Sequence, residues 1–209
     1  MLAEGRRLGV LRAEGKIRAI GVSNFGPTQL AEALATGVPI EVNQLGYGLL
    51  NRIIEFEILP VCRQHGIGVA AYMPLMQGLL SGRWRSADEI PLTRRRTRHF
   101  SSTRPGTRHG EPGAEAEVFA AIDGIAQLAE AQGMPMADMA LAWAAAQPGV
   151  TTVIVGTRTP AQLDESLRGI GRTLSPDVLN ELDRLTQPVK AKLGSNADLW
   201  QSGADGRIR

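Results

Sequence analysis

Lys16-Ile-Arg-Ala-Ile-Gly-Val-Ser-Asn-Phe25 decides the fold: an apolar, strand-like run leads directly into Ser23 and Asn24, two short polar side chains at its carboxyl end. In α/β proteins the carboxyl ends of parallel strands are where ligands are held. Three further runs have the same form, Glu41-Val-Asn-Gln44, Ile67-Gly-Val-Ala-Ala-Tyr72 and Thr151-Thr-Val-Ile-Val-Gly156. Between them the hydrophobic period changes from strand-like to helical, which predicts βα units around a parallel sheet. A helix over Leu2 to Glu14 stops at Gly15. A second follows Gly26-Pro27-Thr28 with Leu30, Ala33 and Leu34 inward, and a third spans Ile53 to Gln64 with Ile54, Ile58 and Val61 inward. Two more run from Glu115 through Phe119, Ile122, Ile125 and Leu128, and from Met136 to Gln147. After Gly156-Thr157-Arg158-Thr159-Pro160 a last helix carries Gln162, Glu165 and Ser166 in its first turns, and its free amides favour a phosphate group.

Composition narrows the partners. The 209 residues are 43% hydrophobic, enough for a packed core, and a net charge of only +2 gives no basic nucleic-acid-binding surface. Trp84, Trp143 and Trp200 are scattered and aromatic residues make up 4%, so no stacking platform for single strands is present. Cys62 is the only cysteine, which excludes an intramolecular disulfide and a cysteine metal cluster. With no apolar run of bilayer length and no secretory signal at Met1-Leu-Ala-Glu-Gly-Arg-Arg, the expected location is cytoplasmic, with neither membrane nor nucleic acid as partner. Residues 82–117 differ from the rest, with Arg94-Arg95-Arg96, Arg98, His99, Arg104, Arg108 and His109 among several Pro and Gly. They read as a long loop, either a solvated excursion or a lid over a ligand, in which His99 or His109 could approach a substrate. From about residue 188 the chain reads as an irregular tail, with Trp200 and the basic end Arg207-Ile-Arg209 expected near a site mouth.

The motifs together resemble the carboxyl-terminal half of an aldo/keto reductase. The resemblance rests on residues 15–25, Asn43-Gln44, Asn51-Arg52, Ala71-Tyr-Met-Pro-Leu-Met-Gln-Gly-Leu-Leu-Ser-Gly82, and Val155-Gly-Thr-Arg158 with Gln162-Leu163. It implies a (β/α)₈ TIM barrel of which residues 1–209 carry about the last four βα units. It also implies reduction of an aldehyde or ketone with NADPH bound across the carboxyl ends of the strands. Ser23, Asn24 and Gln44 then match the group that holds the nicotinamide carboxamide, and Tyr72 the aromatic residue against the nicotinamide ring. Met73, Pro74, Leu75, Met76 and Gln77 match the loop beside the pyrophosphate, and Arg83 a basic phosphate partner. Gly156 and Arg158 match positions around the adenosine phosphate, with Arg158 suited to a 2′-phosphate. Gln162, Glu165 and Ser166 match the adenine end, although the family commonly has Asn where Ser166 stands.

The resemblance also implies that the family's catalytic Tyr, Lys, Asp and His lie on strands that precede these. Tyr47 and Tyr72 are the only tyrosines, and Lys16, Lys190 and Lys192 the only lysines. No residue is therefore assigned a catalytic role, and the isolated chain is expected to be inactive. A noncatalytic nucleotide-binding or regulatory module and an inactive truncated remnant are the alternatives. Half a barrel leaves two open edges and an open apolar interior, so self-association or a missing amino-terminal half is expected.

Overall fold

The computed structural model describes residues 2–202 and 206–209. Helix α1 (Leu2–Ala13) leads to β1 (Gly21–Ser23), then α2 (Pro27–Leu34), β2 (Val42–Gly46), α3 (Ile58–Gln64) and β3 (Gly68–Tyr72). After a long connection come α4 (Glu115–Ala131), α5 (Met136–Ala146), β4 (Val150–Ile154), α6 (Pro160–Ile170) and α7 (Pro176–Leu193). The four strands are parallel and stand in the order β1-β2-β3-β4, which is also their sequence order. With right-handed crossovers, that order puts the connecting helices on one face and winds the sheet as a barrel wall. Among the described residues no helix is long and apolar enough to cross a membrane, and no group of three His, Cys, Asp or Glu could hold a metal.

All four strands fall where the hydrophobic runs predict, but β1 is much shorter than residues 16–25. It is an edge strand with a partner on one side only. That partner begins at Val42, opposite Gly21, so Lys16 to Ala19 have nothing to pair with. The expected helix over Ile53–Gln64 is broken into a single 3₁₀ turn at Ile53–Glu55 and α3. Pro60 has no N–H to return to Phe56, so it is accommodated only in the first turn of a helix that starts afresh.

Two other expectations are corrected. Residues 82–117 are not a solvated excursion: Trp84, Ile90, Thr97, Arg98, His99, Phe100 and His109 are buried. Arg98 donates to the carbonyls of Leu193 and Asn196 at the end of α7 and pairs with Glu111 at 2.7 Å. Arg104 bridges Asp88 and Glu115. Arg98 and Arg104 are thus neutralised by carboxylates and carbonyls distant in sequence, whereas Arg96 and Arg108 are exposed. The irregular tail begins later than residue 188, because α7 runs through Pro188 to Leu193. Ser175 caps its start by accepting from the Val178 amide, and Arg52 reaches across to donate to the carbonyl of Asp183.

The core is continuous from Leu30 and Leu45 through Tyr47, Ile53, Val69 and Phe100 to Ile125, Met139, Trp143 and Leu182. Trp143 belongs to it. Its indole donates to Asp183 at 2.9 Å, and Arg52 stands 5.3 Å from its ring. Cys62 is fully buried.

Candidate functional site

The carboxyl ends of the strands are built on unusual backbone. Among the described residues, the non-glycine residues with left-handed φ are Asn24 (57°), Met73 (54°), Met76 (44°) and Gln77 (55°). Each follows a strand end, and each conformation costs about 1 kcal/mol or more, so the surrounding structure must impose it. Part of that constraint is visible. Gly48 lies so close to Pro74 that a Cβ would come within 2.7 Å of its backbone oxygen, which locks the turn after β2 against the turn after β3. Asn51 secures the same turn by donating to the Gly46 carbonyl at 2.7 Å, while its own Oδ1 is buried without a protein partner.

Tyr72 closes β3 and turns its hydroxyl toward β1, donating to Asn24 Oδ1 at 2.8 Å. Burial raises its pKa; the Asn24 contact opposes this, Asp198 adds to it and Arg207 reduces it, so the phenol stays neutral. On its other side Tyr72 opens onto a cleft of about 970 Å³ between the loop after β3 and the start of α6. Met73, Pro74, Leu75, Gln77, Arg83, Gly156, Arg158, Gln162, Glu165 and Ser166 line this cleft with Tyr72, so eleven of the fifteen residues singled out from sequence converge on it. The other four do not line it. Ser23, Asn24 and Gln44 stand at the neighbouring ends of β1 and β2, joined to it through the Tyr72 hydrogen bond, with Ser23 Oγ 3.4 Å from the Gln44 carbonyl. Met76 points into the core, only 3% exposed.

At the far wall, Thr159 caps α6 by accepting from the Gln162 amide at 3.2 Å, and Gln162 Oε1 in turn accepts from the Arg158 amide at 2.8 Å. Ser166 spends its hydroxyl on the Gln162 carbonyl at 2.8 Å, a common habit of serine inside a helix. A Cβ on Gly156 would meet nothing within 4 Å, so that wall is open.

Arg94 is a lining residue that sequence reading did not single out. It comes from residues 82–117, read from sequence as either a solvated excursion or a lid, and donates to the Gln77 carbonyl at 3.2 Å. It lies 5.4 Å from the Trp84 ring, and Arg83 lies 5.9 Å from the same ring. Gly78, at φ 95°, leaves the room this needs, since a Cβ there would stand 3.3 Å from Arg94 Nη1. Nothing in the local sequence signals a contact spanning seventeen residues. Among the described residues, Arg83, Arg94 and Arg158 have no carboxylate within salt-bridge distance, whereas Arg168 on the same cleft is paired with Asp138 at 3.3 Å. Three guanidinium groups without a carboxylate partner among the described residues thus face the cleft, together with the carboxylate of Glu165.

Neither histidine of residues 82–117 reaches this cleft. His99 bonds the Leu50 carbonyl at 2.7 Å and Thr97 at 3.2 Å, and His109 bonds the Thr97 carbonyl, both in the interior. His65 is exposed at the end of α3. Trp200 is half-buried under Arg207, which lies 5.9 Å from its ring.

Comparison with known proteins bears on this geometry. The model of the Aldo/keto reductase family matches residues 6–187. An NADH-specific methylglyoxal reductase of Escherichia coli is 32% identical over 172 residues, covering 80% of this chain and 48% of that protein. An L-glyceraldehyde 3-phosphate reductase of Escherichia coli is 27% identical over 197 residues, covering 91% and 54%. The solved glycerol dehydrogenase of Gluconobacter oxydans superposes with a TM-score of 0.72 at 30% identity, over 89% of this chain and 54% of that one. The chain thus spans about half the length of the curated relatives it matches.

Proposed function

Because the chain belongs to the aldo/keto reductase family, we propose that its cleft holds the nicotinamide cofactor of a carbonyl-reducing oxidoreductase, with NADPH preferred over NADH. The observation that carries the reading is the meeting of Arg83, Arg94 and Arg158, all without carboxylate partners among the described residues, around a cleft that ends at Tyr72. A dinucleotide has that pattern, with phosphates along its length and a flat ring at one end. The cleft volume of about 970 Å³ and the open backbone at Gly156 also fit such a group.

When bound, the cofactor supplies a hydride to the carbonyl carbon of an aldehyde or ketone. In this reading Tyr72 offers its ring as a flat apolar wall, held in orientation by Asn24. Tyr72 does not serve as the proton donor, because its hydroxyl is engaged and burial pushes its pKa up. Arg83 and Arg94 would neutralise a pyrophosphate from the side of the β3 loop, and the α6 amino terminus would add its dipole. Arg158 would hold the 2′-phosphate, the charge that distinguishes NADPH from NADH. Ser23 and Gln44 present hydroxyl and amide groups suited to a carboxamide. The proton for the product oxygen comes from the family's catalytic Tyr, with its Lys, Asp and His, which this chain does not carry.

Titration of the purified chain with NADPH and with NADH, followed by nicotinamide fluorescence, tests the proposal. Saturable binding that is tighter for NADPH is expected. Equal and non-saturable responses to both would overturn it.

A further inference from the structure

We propose that a second cavity, enclosed by α3, α7, the segment after β2 and the loop before β4, is a binding site for a phosphate group, taken up as free phosphate or as a small phosphate ester. It shares no lining residue with the cleft and does not rest on the cofactor reading.

The cavity measures about 250 Å³, too small for a dinucleotide and sufficient for a phosphate carrying a short carbon chain. Its charged lining consists of three cations, Arg52, Arg63 and Lys190, against one carboxylate, Glu55. That carboxylate is already saturated. Oε1 accepts from Tyr47 at 2.8 Å and from Arg52 Nε at 2.8 Å, and Oε2 accepts from Arg52 Nη2 at 2.9 Å and from Lys190 at 2.8 Å, which fills its four lone-pair directions. Asp183 stands 3.1 Å from Arg52 Nη1 outside the lining and offsets one further charge. Three cations against two carboxylates leave a positive charge in excess.

Arg63 carries that excess. Among the described residues no carboxylate lies within salt-bridge distance of it, and its stem lies across Gly149, where a Cβ would stand 3.0 Å from Arg63 Cγ. The glycine thus lets the arginine lie flat against the loop before β4. Lys190 gives Glu55 only one of its three N–H groups. The side chains of Arg52 and Lys190 are only 8% and 16% exposed, so an anion that reaches them meets donors poorly screened by water. A phosphate has three free oxygens for donors arriving from separate elements, here Arg63 on α3 and Lys190 on α7, whereas a planar carboxylate matches a single fork. An anion held this way ties α3 to α7.

Amide NMR of the 15N-labelled chain reads the site residue by residue. The titrants are inorganic phosphate and glycerol phosphate at fixed ionic strength, with chloride as control. Saturable shifts at Arg63, Gln147 and Lys190 are expected with either phosphate compound, at a dissociation constant on the order of 1 mM. The tighter of the two identifies free phosphate or an ester as the source. Arg63→Gln removes the unpaired cation, and Gln147→Glu supplies it with a carboxylate inside the cavity. Each is expected to weaken these shifts about tenfold, with an unchanged circular dichroism spectrum and unchanged phosphate shifts at Arg158 and Gln162 in the cleft. Arg63→Lys should keep most of the affinity. Shifts confined to the cleft, or none at all, would overturn the proposal. So would shifts that chloride reproduces, the mark of an adventitious ion only, or shifts indifferent to both variants.

Discussion

The Tyr72 hydroxyl donates to Asn24 Oδ1 at 2.8 Å, joining the ends of two strands separated by β2 and fixing the one left-handed residue that follows β1. The bond spans 48 residues of chain and sets the orientation of the ring at the end of the cleft. Tyr72→Phe should cost about 1 kcal/mol of stability. Asn24→Ala should cost roughly 1–3 kcal/mol, because alanine also tolerates the left-handed backbone poorly. Asn24→Gly should cost less than Asn24→Ala by relieving that strain. Urea denaturation of the three variants and of the Tyr72→Phe, Asn24→Ala pair checks this. A strictly additive pair would show that the bond contributes nothing.

Arg158 is exposed at the mouth of α6, and its amide is held by Gln162 Oε1. Arg158→Ala should weaken NADPH binding about tenfold and leave NADH binding within twofold, since only the former carries the 2′-phosphate. The NADPH preference should also shrink as salt is raised. Equal loss for the two cofactors would place the 2′-phosphate elsewhere.

What sequence could reveal here was set by the range of each interaction. The four strands were legible because apolar runs are local signals, and the cleft residues from Tyr72 to Ser166 because they sit in motifs that resemble a family. Helix α7 was not, because Pro188 reads as a terminator, whereas the helix continues through it to Leu193 and is tied to the rest of the fold by Arg52 donating to the Asp183 carbonyl. Residues 82–117 looked solvated because their arginines were counted without Glu111, Glu115 and the carbonyls of Leu193 and Asn196. Arg94 and the left-handed Met73, Met76 and Gln77 depend on three-dimensional closure that no local pattern reports.

Glu55 is the hub of a buried charged cluster. It accepts from Tyr47 at 2.8 Å, from Arg52 Nε at 2.8 Å and Nη2 at 2.9 Å, and from Lys190 at 2.8 Å. Burial alone would raise its pKa, but the hydrogen bonds from Arg52 and Lys190 outweigh this and hold it below the usual carboxylate range. Glu55→Ala strands two cations and should cost about 3–5 kcal/mol. Because Lys190 and Asp183 lie on α7, hydrogen exchange should rise first in residues 176–193. A uniform rise across the chain would mean that the cluster does not specifically anchor that helix.

His99 makes stability depend on pH. It is fully buried, and desolvation lowers its pKa from 6.5 to about 4 despite the favourable Leu50 carbonyl; Arg98 and His109 add to the depression. His109 is lowered in the same direction, chiefly by burial, with Glu111 opposing. A depressed histidine is neutral in the folded state while the unfolded chain takes up its proton near pH 6.5. The contribution is therefore complete above that pH and is lost progressively as pH falls toward 4. For His99 the loss amounts to roughly 3 kcal/mol. Urea denaturation between pH 7.5 and 4.5 should show stability falling with acidification, and His99→Gln should flatten that slope while lowering stability at neutral pH. If the variant keeps the full slope, the acid sensitivity belongs to other groups and His99 is not its source.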